Sequence, residues 1–181
     1  INEVIFSGGD PLMANDEHLH WLVEQVEAIE HVTRLRLHTR LPVVIPQRIT
    51  PALVEVLKNS RLKSIVVLHI NHSNEIDAEV AEAVARLLDA GIRVLNQTVL
   101  LKDINDNAAT LNALSERLFD CGITPYYLHL LDPVQGASHF DIDESQAQEI
   151  YRELQTMLPG FLLPKLVREI PGELSKTVIS A

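Results

Sequence analysis

Cysteine is nearly absent from this chain: Cys121 is the single one among 181 residues. One thiol excludes an internal disulfide framework, and it excludes a cysteine-ligated zinc or iron–sulfur centre built from these residues alone. Cations are in short supply too, with 15 Lys and Arg against 25 Asp and Glu and a formal charge of -10. That balance argues against an unspecific grip on nucleic acid or anionic lipid, although it leaves room for a local basic pocket. Small cationic or zwitterionic ligands are easier guests. Long apolar runs and a basic-then-apolar leader are missing, so the sequence predicts neither membrane insertion nor secretion but a reducing cytoplasm.

What the chain does have is core. Hydrophobic residues make up 46% of it, enough for one domain over 1–181 that buries roughly 70% of the surface its unfolded chain exposes. The chain opens on Ile1 rather than Met, and Ile1–Phe6 already alternates like a strand, which predicts the trimmed core of a longer protein.

A strand–helix rhythm then repeats. The turn Ser7-Gly8-Gly9-Asp10-Pro11 leads to Leu19, Leu22, Val23, Val26 and Ile29 at helical spacing. Arg34–His38 reads as a second strand and Thr50-Pro51 as a helix start. Ser64–Ile70 is an apolar strand followed by a helical face of Val80, Val84, Leu87 and Leu88 that Gly91 ends. A fourth strand runs from Ile92 to about Leu101, and its helix carries Leu111, Leu114 and Leu118 before Gly122. Thr124 to about Leu130 is the fifth strand. Asp141 and Glu144 suggest a capping box for a helix lined by Ile150, Leu154 and Met157, and Phe161–Val167 is the sixth strand. Five βα units and a final strand predict an α/β fold with a parallel sheet, either open and doubly wound or a barrel. Both architectures place ligands at the carboxyl ends of the strands.

Those ends are polar. Ser7-Gly8-Gly9-Asp10 is either a plain tight turn or a loop where a ligand meets backbone and Asp10 holds an ammonium group. Arg40 suits a carboxylate or phosphate, or pairs with Asp10 or Glu75. His69, His72 and Glu75 suit zinc or iron by residue type, but their spacing, with Asn71 and Asn74 between them, fits loop shaping or an organic ligand better. Asn96-Gln97 places amides inside an apolar strand, where each must find a partner in the core or in a ligand. Asp132 precedes Pro133 and a Gln135-Gly136 turn, as a cap or a ligand-binding acid. Lys176 alone is a surface lysine; shielded from water, it could form a Schiff base with a carbonyl cofactor.

Several stretches in one order carry a resemblance: Ser7-Gly8-Gly9-Asp10-Pro11-Leu12, Thr39 through Thr50, His69 through Glu75, Asn96 through Lys102, Pro125-Tyr126-Tyr127-Leu128, and Pro171-Gly172 with Lys176. Together they resemble the lysine 2,3-aminomutase family, most like the bacterial branch that makes β-lysine for elongation factor P. The resemblance implies a partial βα barrel of radical S-adenosylmethionine type, here lacking its first strand and cluster loop. It implies three cofactors: a [4Fe–4S] cluster, S-adenosylmethionine and pyridoxal 5′-phosphate. By resemblance Ser7, Gly8, Gly9, Asp10, His69 and Gln97 face S-adenosylmethionine, and Lys176 is the catalytic lysine that forms the pyridoxal phosphate Schiff base. Asp132 and Glu169 receive the ε-ammonium of the substrate, free L-lysine. The implied product is β-lysine, passed to elongation factor P by a ligase, with no direct nucleic-acid or membrane partner and an oligomer possible.

The three cluster cysteines of the family fall upstream of Ile1, so this stretch by itself is expected to be inactive. Cys121, at a helix end, reads as a packed thiol. Asn107 follows Asn105-Asp106 where some relatives have a zinc-binding cysteine, so no metal site is expected in this chain. Two other readings compete: a noncatalytic amino-acid or nucleotide binding module on the same barrel, and a metal hydrolase built on His69, His72 and Glu75.

Overall fold

The computed structural model describes residues 1–132, 136, 138–173 and 175–180. The Pro133 and Gln135 part of the expected turn lies outside the described residues. Seven strands, β1 (Glu3–Phe6), β2 (Arg34–Thr39), β3 (Lys63–His69), β4 (Arg93–Val99), β5 (Thr124–His129), β6 (Lys165–Arg168) and β7 (Thr177–Val178), take the sheet order of the sequence. Six helices intervene: α1 (Asp16–Glu27), α2 (Leu41–Val44), α3 (Pro51–Asn59), α4 (Ala78–Asp89), α5 (Ala108–Asp120) and α6 (Glu144–Met157). The chain divides into two compact units. The first holds 1–69, 76–95 and 121–123, and the second holds 70–75, 96–120 and 124–181.

In the first unit β1, β2 and β3 are parallel, with Phe6 opposite Leu37 and Leu37 opposite Val66. The sequence Arg34-Leu35-Arg36-Leu37-His38-Thr39 alternates in burial as it does in polarity, so Leu35, Leu37 and Thr39 are buried while Arg34, Arg36 and His38 are half-buried. Asn15, Thr50 and Asp77 cap the three long helices by accepting from the N–H groups of His18, Leu53 and Val80. Gly122 has φ of 73°, where a side chain would be strained, and a Cβ there would lie 2.6 Å from Leu88 Cδ1, which would have to shift.

In the second unit β5 and β6 are parallel, and β7 returns antiparallel to β6 with Arg168 opposite Thr177. Leu128, Leu130 and Leu166 join Leu111, Ile150 and Leu154 in one buried cluster. The helix face expected from Ile150 and Leu154 is therefore confirmed, but Met157 is 42% exposed.

Several expectations change. Helix α1 ends before Ile29, which is 41% exposed. Asp143, not Asp141, caps α6, accepting from Gln146 N. The sixth strand starts at Lys165, because Pro159 through Pro164 forms a turn in which Leu162 N bonds to Pro159 O and Phe161 stays exposed. Helix α2 and strand β7 were not expected: each is too short to show a period in sequence.

Candidate active site

The loop after β1 carries the first group of expected site residues. Gly8 and Gly9 have φ of 85° and 56°, which side chains rarely adopt, and nothing lies within 4 Å of a Cβ placed on either. Their backbone is strained for any other residue yet open to an incoming ligand.

Asp10 turns that loop back onto the end of β2. Its Oδ1 accepts from Leu12 N at 3.0 Å and from Thr39 Oγ1 at 2.6 Å, and its Oδ2 accepts from Arg40 N at 2.7 Å and Leu41 N at 3.0 Å. An ionised carboxylate has about four acceptor sites, and four donors of the chain occupy them. In this structure Asp10 fixes the loop through these four bonds.

Arg48 locks the downstream side. It donates from Nε to Leu12 O at 2.6 Å and from Nη2 to Ala14 O at 2.7 Å, and pairs through Nη1 with Asp16 at 2.6 Å. Its planar fork satisfies carbonyls that a compact loop leaves without partners. His69 closes β3, its ring edge-on to His38 with centroids 6.0 Å apart, and its carbonyl accepts from Arg40 Nη1 at 3.4 Å.

In the second unit the two neighbouring amides of β4 part company. Asn96 is spent on structure, with Oδ1 accepting from Ile70 N at 2.9 Å and Nδ2 donating to Ile70 O at 3.0 Å. Gln97 is 9% exposed, and its Nε2 is buried with no hydrogen-bond partner among the described residues. Buried donors are rarely left in that condition without a ligand or water to receive them.

The His69–Glu75 stretch is shaped by its own side chains. Glu75 Oε1 accepts from Asn71 N and His72 N at 2.7 and 2.9 Å, and His72 Nδ1 accepts from Asn74 N at 3.1 Å. Asn71 Oδ1 accepts from Val99 N, and buried Asn105 donates to Asn71 O and Val99 O. His72 Nδ1 and Glu75 Oε1 are thus committed to the turn. No group of three His, Cys, Asp or Glu suited to a metal ion occurs among the described residues.

Beyond β6 the chain makes a turn through Pro171 and Gly172 and comes back as β7. The pairing of Arg168 with Thr177 makes Glu169 and Lys176 the next rung outward. Lys176 Nζ donates to Glu169 Oε1 at 2.9 Å and stands 5.8 Å from the centre of the Tyr127 ring. The side chain of Lys176 is 22% exposed and that of Glu169 60%. Lys176 is therefore not the ordinary surface lysine that its type alone suggests. Asp132, three residues beyond β5, is exposed. Tyr127, Arg48 and Asn105 acquire roles that sequence reasoning did not assign. For Tyr127 the signal was present, an aromatic pair inside a strand.

Known proteins share this sequence. The chain is 58% identical to an L-lysine 2,3-aminomutase of Escherichia coli (strain K12) over 98% of its own length and 52% of the relative's. It is 57% identical to one from Haemophilus influenzae, again over 98% of this chain and 53% of the relative. The chain is homologous to the L-lysine 2,3-aminomutases. It spans about half the length of these aminomutase relatives. No family model matches. Among solved structures, a radical SAM methyltransferase from Sphaerobacter thermophilus superposes with a TM-score of 0.64 at 18% identity, over 93% of this chain and 51% of that one. A domain of pyruvate-formate lyase-activating enzyme from Bacteroides vulgatus ATCC 8482 gives 0.61 at 14% identity, over 90% and 97%. The likeness shows the fold, an α/β partial barrel like that of these two structures, and decides between the barrel and the open sheet that the βα rhythm left open.

Proposed function

We propose that the whole protein is a lysine 2,3-aminomutase, an isomerase that moves the 2-amino group of L-lysine to carbon 3 and yields β-lysine. The observation that supports this reading most is the 58% identity along 98% of the chain, joined to a lysine held beside an acid at the end of β6.

Two groups fit the residues present. In the first unit the open Gly8-Gly9 backbone, with Ser7 and His69 at strand ends, suits S-adenosylmethionine, and in the second unit the orphaned Nε2 of Gln97 is a donor suited to a polar ligand. Lys176, an amine largely sheltered from water, suits the aldehyde of pyridoxal 5′-phosphate. When bound, S-adenosylmethionine supplies hydrogen abstraction at carbon 3 and pyridoxal phosphate supplies the π system across which nitrogen migrates. The chain's own residues hold and orient. Asp132 and Glu169 receive the ε-ammonium of lysine, Asp10 and Arg48 keep the glycine loop in shape, and Gln97 offers a desolvated donor. The [4Fe–4S] cluster of this chemistry does not fit the 181 residues, which hold Cys121 alone; its thiolates belong to sequence outside them. The role of β-lysine as a group ligated to elongation factor P, the cytoplasmic setting and any oligomer belong to the same reading. No helix among the described residues is long and apolar enough to cross a membrane.

The test is β-lysine formation by the full-length protein supplied with iron, sulfide, S-adenosylmethionine, pyridoxal phosphate and lysine. Turnover is expected from the wild type, and a loss of at least about 1,000-fold from Lys176→Ala. Undiminished turnover in that variant removes the assigned role. Lysine binding without any turnover favours the noncatalytic module.

A further inference from the structure

The first unit gathers positive charge at the amino ends of its strands, where the proposed activity makes no use of it. Strands β2, β3 and β4 open on Arg34, Lys63 and Arg93, and Lys58 stands in the last turn of α3. These four cations line one open cavity of about 490 Å³, with Leu57 and Ile65 among its apolar walls, and none of the described residues lining it is acidic or aromatic. Such segregation is pronounced in a chain with 15 Lys and Arg against 25 Asp and Glu. The volume falls within the range of small-molecule sites, roughly 300–1,000 Å³. Strand β3 is seven residues long, which puts Lys63 about 20 Å from His69, at the other end of the strand.

Two of the cations have local partners. Arg34 donates from Nη2 to Asn2 Oδ1 at 2.7 Å and stands 3.9 Å from Glu3, and Lys58 lies 3.9 Å from Glu55 while complementing the carbonyl end of α3. The exposed Lys63 and Arg93 have neither an ion pair nor a side-chain hydrogen bond among the described residues. Arg34 and Lys63 are also register partners on β2 and β3, so like charges stand side by side, an arrangement that raises the energy until an anion is placed among them.

We infer that this cavity is a binding site for a small phosphorylated molecule carrying at least two negative charges. The guanidinium forks of Arg34 and Arg93 match phosphate oxygens in pairs, and the ammonium groups of Lys58 and Lys63 add point charges that adapt to the rest. Without an aromatic wall a nucleobase has nothing to stack on, and a concave pocket suits a compact anion better than a nucleic-acid strand does. Leu57 and Ile65 leave room for a short aliphatic body beside the charged end. The site is independent of the activity proposed above, since it uses none of the residues assigned there.

The test titrates inorganic pyrophosphate by calorimetry into the full-length protein loaded with pyridoxal phosphate and S-adenosylmethionine, so that other phosphate-binding positions are filled. An ionic strength of about 0.15 M screens loose attraction to exposed cations beyond about 8 Å. The wild type is expected to bind pyrophosphate, and the Lys63→Gln/Arg93→Gln double variant to bind it at least about ten-fold more weakly. Arg152→Gln, a loss of one exposed cation on α6, is expected to stay within about two-fold of the wild type. Pyrophosphate should also raise the thermal midpoint of the wild type and leave that of the double variant unmoved. Should the double variant fold poorly, the single substitutions Lys63→Gln and Arg93→Gln carry the test, each expected to weaken binding about three-fold. β-Lysine formation without pyrophosphate is expected to be the same in all of these proteins. Absence of pyrophosphate binding by the wild type overturns the inference, as does equal binding by the variants that lack Lys63 or Arg93. Binding of an oligo-aspartate in place of pyrophosphate, lost in the same variants, overturns it too, by making the cavity a docking point for an acidic peptide.

Discussion

Two acids at strand ends, Asp10 after β1 and Glu169 after β6, look interchangeable in sequence and are put to opposite uses. Asp10 receives four donors from the chain, three of them backbone N–H groups with no freedom to leave. Glu169 receives the terminal ammonium of a side chain that rotates about four single bonds. A carboxylate saturated by backbone is architecture, because its several donors are fixed by the fold and would have to be given up together. A carboxylate that is itself 60% exposed and paired with one flexible side chain is held far more loosely. The chemistry of a binding acid is thus read from what holds it rather than from its position after a strand.

That contrast is broken most directly by paired substitutions. Asp10→Ala leaves the N–H groups of Leu12 and Arg40 without their acceptor and Leu41 N with Thr39 Oγ1 alone, and is expected to cost about 2 kcal/mol in denaturant unfolding. Glu169→Gln is expected to stay within about 0.5 kcal/mol of wild type while weakening lysine binding. If both cost the same, Asp10 and Glu169 do not differ in kind.

How far the contrast was legible follows from where the partners come from. Strand and helix periods sit within a few residues of one another, so β2, β3 and α4 could be read directly. The saturation of Asp10 depends on Thr39, Arg40 and Leu41, about 30 residues away, and only the parallel pairing of β1 with β2 brings them there. No local pattern encodes it. The pairing of Glu169 with Lys176 lay nearer the surface of the sequence. Seven residues separate the two, Pro171-Gly172 marks a turn between them, and Gly172 has φ of 93°; a hairpin could have been inferred from that spacing. What concealed it was the brevity of β6 and β7, four residues and two. The Asn96-Gln97 pair was readable as two buried amides, but period two alone does not say which face carries carbonyl partners and which faces an open site.

Gln97 gives the next test. Unlike Asp10, this residue is buried with an amide nitrogen that bonds to nothing among the described residues. Gln97→Leu removes an orphaned donor, so stability should hold or rise by about 1 kcal/mol. Binding of S-adenosylmethionine should weaken about ten-fold, the cost of roughly 1.4 kcal/mol. A loss of stability without a loss of affinity would class Gln97 with Asn96 as a structural amide and remove it from the residues proposed for S-adenosylmethionine.

The smallest effect comes from the other side of the second unit, where a polar tie serves structure alone. Tyr151 on α6 is 9% exposed and donates its hydroxyl to Pro164 O at 2.9 Å, just ahead of β6. Burial pushes the phenol above its ordinary value of 10.0, outweighing a backbone hydrogen bond that pulls it down. A raised folded value means that the unfolded chain loses its proton first. The contribution is therefore complete below pH 10.0 and drains away as pH climbs through the folded value, at up to about 1.4 kcal/mol per pH unit. Tyr151→Phe should cost about 1 kcal/mol near neutrality and show none of that alkaline slope. Urea midpoints of the two proteins should therefore converge as the solution is made alkaline. Parallel midpoints across the range would mean that the hydroxyl is not tied where β6 begins, and that the hairpin bearing Glu169 and Lys176 is not anchored from its helix side.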